Sequence, residues 1–144
     1  MILKKSIGRH LLLIISVLAV ICELQAEVRL PKVLGSYMVL QREQPVKIWG
    51  WADKGEKITV VFNGQEVHTK AAKEGTWILE LEPMNAGGPY RMEIRGKNTL
   101  VLEDILIGDV WICSGQSNME WTVSNSNNPE DEIAAADFPG IRLF

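Results

Sequence analysis

The chain has 144 residues, with 15 Lys+Arg against 18 Asp+Glu and a formal charge of −3. That length suits one domain and a little more. The mild acidity gives no support to nucleic acid or an anionic membrane as partner, and it fits a neutral or small polar substrate better.

The chain opens on a basic start made by Lys4, Lys5, Arg9 and His10, followed by an uncharged, mostly aliphatic stretch from Leu11 to Ile21. Leu24-Gln25-Ala26 then ends in a small residue suited to cleavage. This order predicts a secretory signal peptide over residues 1–26 and a secreted or periplasmic product. The apolar stretch is 11 residues long, whereas a membrane span needs about 20, so no stable span is expected after cleavage. Cys22 raises a lipoprotein alternative, but Ile21 stands where lipoprotein processing wants a small residue. Removing residues 1–26 takes three of the 15 Lys+Arg and one of the 18 Asp+Glu, leaving a net charge of −5. It also leaves Cys113 as the sole cysteine, so no internal disulfide is possible and the fold must rest on its core.

From Glu27 to about Ile107 short apolar runs alternate with turn residues, and no long helical period appears. The pattern predicts an all-β sandwich over 27–107. Val46 to Trp51 follows Pro45, and Asp53-Lys54-Gly55 turns the chain into Ile58 to Phe62. Asn63-Gly64 supplies the two positive-φ positions of a type I′ hairpin, returning through Glu66 to Ala71. Strand Thr76 to Leu81 should place Trp77, Leu79 and Leu81 on one face. Pro83 to Pro89, with Ala86-Gly87-Gly88, reads as a loop feeding Tyr90 to Arg95, in which Tyr90, Met92 and Ile94 point inward. Asn98 to Leu102 is a further short strand, and Ile105 to Gly108 hands the chain onward. Trp49, Trp51 and Trp77 suit a sugar-stacking platform chemically, but strand-borne tryptophans in a small domain are more commonly core, which is the reading preferred here. His68 sits among polar neighbours with no orienting partner nearby and reads as a solvated strand residue.

Residues 109–120 read Asp-Val-Trp-Ile-Cys-Ser-Gly-Gln-Ser-Asn-Met-Glu. Val110 to Cys113 has the length of a buried strand, and Ser114 to Asn118 is too polar and Gly-broken to continue it. A strand that delivers Ser117 onto a turn suits a nucleophile, because main-chain N–H groups of the turn can face an oxyanion. The G-x-S-x-G elbow of α/β-hydrolases fails at its last position, which is Met119.

Gly115-Gln116-Ser117-Asn118-Met119 instead resembles the first motif of the sialate O-acetylesterase family, a branch of the SGNH-type hydrolases. Met38-Val39-Leu40-Gln41-Arg42, Pro45 to Gly50, Gly75-Thr76-Trp77 and Ala86-Gly87-Gly88-Pro89-Tyr90 look like the β-rich region before the catalytic domain of that family. The resemblance implies an Ig-like or jelly-roll-like β-sandwich over 27–107, then the incomplete start of a flavodoxin-like α/β esterase domain over 108–144. It implies Ser117 as nucleophile, its own N–H as an oxyanion donor, and Gly115, Gln116 and Asn118 as turn or substrate support. No cofactor and no metal are expected. The implied substrate is acetylated sialic acid or another acetylated glycan, with an acetyl xylan esterase-like specificity or a non-catalytic glycan-binding role as alternatives.

After the serine, Thr122 to Asn128 reads as a polar loop. Asn128 is placed to cap a helix that starts at Pro129 and runs to about Asp137, with Glu130, Asp131 and Glu132 at its positive end. That helix-start charge explains the acidic run more simply than a metal site does. Ile141 to Phe144 looks like a second strand, and strand, helix, strand opens a parallel α/β sheet. The family's base and its partner form an Asp-x-x-His, and neither His68, preceded three residues earlier by Gln65, nor His10, preceded by Ile7, fits it. The chain on its own is therefore expected to be an inactive N-terminal part of a longer esterase. Cys113, inside an apolar run, is expected to be a small core residue and not a rival nucleophile.

Overall fold

The computed structural model describes residues 27–143. The expected signal peptide and the Cys22 alternative lie outside the described residues. What is described is mostly β-sheet with few helices. Seven strands are present: β1 (Val39–Gln41), β2 (Val46–Trp51), β3 (Lys57–Phe62), β4 (Gln65–Lys70), β5 (Thr76–Leu81), β6 (Gly87–Arg95) and β7 (Thr99–Gly108). One helix, α1 (Pro129–Ala135), follows two 3-10 turns at Ser117–Glu120 and Val123–Asn125.

Five strands form one sheet in the order β1-β7-β6-β3-β4, and β2 pairs with β5 in a second. All pairings are antiparallel except β1 with β7, which run parallel from Val39 opposite Leu106 to Gln41 opposite Gly108. Alternation along the strands sends one face of each sheet into a shared core. Ile48 of β2 and Leu81 of β5 come from one sheet, and Ile58, Val60 and Phe62 of β3, Met92 and Ile94 of β6 and Ile105 of β7 come from the other; all are fully buried. At about 1.5–3 kcal/mol for each such side chain, this layer is the main favourable contribution to folding. The rings of Phe62 and Tyr90 meet edge to face, 5.9 Å apart.

Strand β5 has the bounds that its alternation predicts, with Trp77, Leu79 and Leu81 buried. The Asn63-Gly64 turn has positive φ at both residues, 46° and 78°, and closes the β3–β4 hairpin with Phe62 opposite Gln65. Three expectations need correction here. Strand β6 begins at Gly87, inside the stretch read as a loop, because its register against β7 shifts around Tyr90 and so accommodates the irregular Gly87-Gly88-Pro89 segment. The two last short segments are one ten-residue strand, β7, which continues past a positive φ at Asp104.

Trp49 and Trp51 are not core. Val46, Ile48 and Gly50 take the inner face of β2, so the two tryptophans stand on the outer face, 38% and 41% exposed. The inner position opposite Gly50 is filled by the indole of Trp77, whose ring atoms lie 3.0 and 3.1 Å from where a Cβ on Gly50 would stand.

The segment before β1 is tied to the sheets by polar contacts. Val28 N–H donates to Asn98 Oδ1 at 2.7 Å, and Asn98 Nδ2 donates to the Val28 carbonyl at 3.2 Å. Arg29 and Trp51 exchange backbone hydrogen bonds of 2.8 and 2.9 Å. The Glu56 carboxylate, the one buried charged side chain among the described residues, accepts from the N–H groups of Asp53 and Lys97.

Candidate functional site

The Ser117 segment leaves the five-stranded sheet at the β1–β7 edge. Arg42 N–H donates to the Gly108 carbonyl at 2.9 Å, Arg42 Nε to Asp109 Oδ1 at 2.9 Å, and Val110 N–H to Gln41 Oε1 at 2.9 Å. The Asp109 carboxylate, through that hydrogen bond, holds the Arg42 guanidinium above its ordinary range. Beyond Val110 the chain has no regular structure until the 3-10 turn at Ser117.

The strand expected at Val110 to Cys113 is absent. Trp111 and Ile112 are 82% and 94% exposed, and Cys113 is exposed too. A strand needs a neighbour for its backbone N–H and C=O groups and a layer to cover its side chains. Among the described residues none lies beside this run. Ile141 to Leu143 is not a strand either.

The four site residues inferred from the motif lie together on one exposed turn. Gln116 precedes it, and its carbonyl accepts the Met119 N–H at 2.8 Å; the Asn118 carbonyl accepts the Trp121 N–H at 3.4 Å. At Gly115 a Cβ would stand 2.7 Å from Cγ of the exposed Met119 side chain, so a larger residue there would displace that side chain. The Ser117 hydroxyl makes no hydrogen bond among the described residues. His68 lies on β4, at the edge of the five-stranded sheet opposite to β1, with β6 and β3 between β7 and β4. His68 is a solvated strand residue, as its neighbours suggest, sharing a 2.9 Å hydrogen bond with Thr59 Oγ1 and lying 3.8 Å from Glu66.

Helix α1 starts at Pro129 with three acids in its first turn, but Asn128 does not cap it through its side chain. Asn128 is left-handed (φ 53°, ψ 48°), and only its carbonyl is used, by Glu132 N–H at 3.1 Å. The helix ends at Ala135, two residues before the expected Asp137. Among the described residues no group of three or more His, Cys, Asp or Glu side chains could hold a metal ion, and no helix is long and apolar enough to cross a membrane.

After α1 the chain returns to the sheet. Arg142 Nη2 donates to Asp104 Oδ1 at 2.7 Å, Nη1 donates to the Asp104 carbonyl, and the guanidinium lies 5.9 Å from the ring centre of Tyr37. Sequence reasoning missed both tethers, because the residues within each are 67 and 38 positions apart.

Comparison with known proteins gives this segment its context. The chain is 39% identical over 129 residues to the sialate O-acetylesterase of Mus musculus and 36% identical over 131 residues to that of Homo sapiens. The chain is a homologue of the sialate O-acetylesterases. The matches cover 81% of this chain and 24% and 25% of those relatives, so the chain spans about a quarter of the length of the curated relatives it matches. A solved structure, a carbohydrate acetylesterase from Xanthomonas citri, superimposes with a TM-score of 0.72 at 38% identity, covering 77% of this chain and 26% of that one. No protein-family model matches the chain.

Proposed function

We propose that this chain is the N-terminal part of a secreted carbohydrate O-acetylesterase that removes acetyl groups from sugars, sialate 9-O-acetyl esters foremost, with Ser117 as its nucleophile. The observation that carries the reading is the Gly-Gln-Ser-Asn-Met turn within a chain homologous to sialate O-acetylesterases. In this reading residues 27–107 are an Ig-like or jelly-roll-like accessory domain. Residues 108–144 begin an SGNH-type α/β domain, and residues 1–26 direct export.

The chemistry assigns one role to each residue. Ser117 Oγ attacks the acetyl carbonyl while a base takes its proton, and the Ser117 N–H donates to the oxyanion. The sugar oxygen leaves with a proton, and water releases acetate from the acetyl-serine. Gly115 gives room for the turn, and Gln116 and Asn118 fix it or touch the substrate. The base and its orienting acid, an Asp-x-x-His in this family, come from outside this chain. An acetyl xylan substrate is the alternative, since the loops that choose the sugar are not among the residues described.

A fluorophosphonate probe tests the assignment. The natural polypeptide that carries this chain should be labelled on the peptide containing Ser117, and the chain alone should neither be labelled nor hydrolyse an aryl acetate above background. Labelling at another serine would overturn the assignment of Ser117, and hydrolysis by the chain alone that Ser117→Ala abolishes would overturn the placing of the base outside this chain.

A further inference from the structure

The outer face of the β2–β5 sheet carries an unassigned groove. Trp49 and Trp51 alternate along β2, so their indoles stand on the same side about 7 Å apart along the strand. Ile78, the cross-strand partner of Trp49 and itself exposed, completes an apolar floor. The groove has a volume of about 580 Å³, within the range of small-molecule sites.

Its edge is made of donors. Lys47 and Lys70 line it, and no carboxylate does. Apolar floor and donor edge together select against an aliphatic protein surface, which would bury two ammonium groups without acceptors. They match a pyranose, which offers C–H faces to aromatic rings and hydroxyl oxygens around its rim.

We infer that this groove binds a chain of pyranose sugars, each of two rings lying on one of the indoles of Trp49 and Trp51. The Ser117 turn does not line the groove, so sugar binding here stands independently of the proposed hydrolysis.

The test is titration of the isotope-labelled chain with xylohexaose, a neutral probe, and with 3′-sialyllactose, an acidic one, followed through the indole N–H resonances. Expected is saturable binding of at least one probe with a dissociation constant of about 1 mM or tighter. The resonances of Trp49 and Trp51 should shift together while those of Trp111 and Trp121 stay. The Trp49→Ala/Trp51→Ala variant should weaken binding at least tenfold, whereas Ser117→Ala should leave it unchanged. No saturable shift with either probe, or shifts confined to Trp111 and Trp121, would overturn the inference using the wild-type chain alone. Binding that survives the double substitution would overturn it as well.

Discussion

Arg42 reaches Asp109 across 67 residues of chain, its Nε 2.9 Å from the carboxylate, and so ties the end of β1 to the first residue after β7. Gln41 beside it accepts the N–H of Val110. The two contacts set the direction in which the Ser117 segment departs from the sheet.

Both partners of the Arg42–Asp109 pair are well exposed, and exposed ion pairs contribute little to global stability. Arg42→Ala should therefore leave the thermal midpoint nearly unchanged while loosening the segment locally. Amide hydrogen exchange is the measurement: Val110 should exchange faster in the variant, with the β3, β5 and β6 amides unaffected. Unchanged exchange at Val110 would show that the pair does not hold the segment.

Glu56 makes the opposite case, because its carboxylate is buried and serves two separate backbone donors. Oε2 accepts from Asp53 N–H at 2.9 Å and Oε1 from Lys97 N–H at 2.6 Å, joining the loop after β2 to the β6–β7 turn. An amide in its place must point its NH2 at one of those donors. Glu56→Gln should lower the unfolding free energy by about 1–3 kcal/mol, the cost of one buried group left without its bond. Urea denaturation checks it, with a reduced midpoint at unchanged slope as the expected result.

Glu93 gives the fold a pH dependence of known sign. A hydrogen bond from Arg95, at 2.6 Å, is the main influence that holds its carboxyl below the ordinary value of 4.5, with charge attraction from Arg95 and Arg91 adding to it against the effect of burial. A carboxyl depressed in the folded state binds its proton more readily when unfolded. Its contribution is thus present above pH 4.5 and is lost as the pH falls through the lower folded value. Glu93→Gln should flatten the decline of stability in that acidic window and lower stability at neutral pH. Parallel urea titrations of both proteins from pH 7 to about 3 decide it, and equal slopes would remove Glu93 from the account.

The strands were legible because their signals are local. Period-two alternation places Trp77, Leu79 and Leu81 inside, and Asn63-Gly64 forces a hairpin whatever lies around it. Features that depend on distant pairing were not. Nothing near Val39 announces that it runs parallel to β7, and nothing near Gly87 shows that β7 accepts an irregular strand start. Val110 to Cys113 has the composition of a buried strand but no neighbour among the described residues to pair with. The tendency of strand tryptophans to lie in a core points Trp49 and Trp51 inward, but the small size of Gly50 admits Trp77 on the inner face and leaves the two on the outer one. At the candidate site the motif marked the turn, whereas its tethers through Arg42 and Arg142 are tertiary and left no mark in the sequence.

Measuring kcat/KM for an aryl acetate, wild type against Ser117→Ala, in the natural polypeptide that carries this chain tests the central claim most directly. If Ser117 is the nucleophile, the substitution lowers kcat/KM by at least about 10⁴-fold, as removal of a catalytic serine does elsewhere, without changing the thermal midpoint. Activity within tenfold of wild type would contradict the assignment and move the chemistry to another residue.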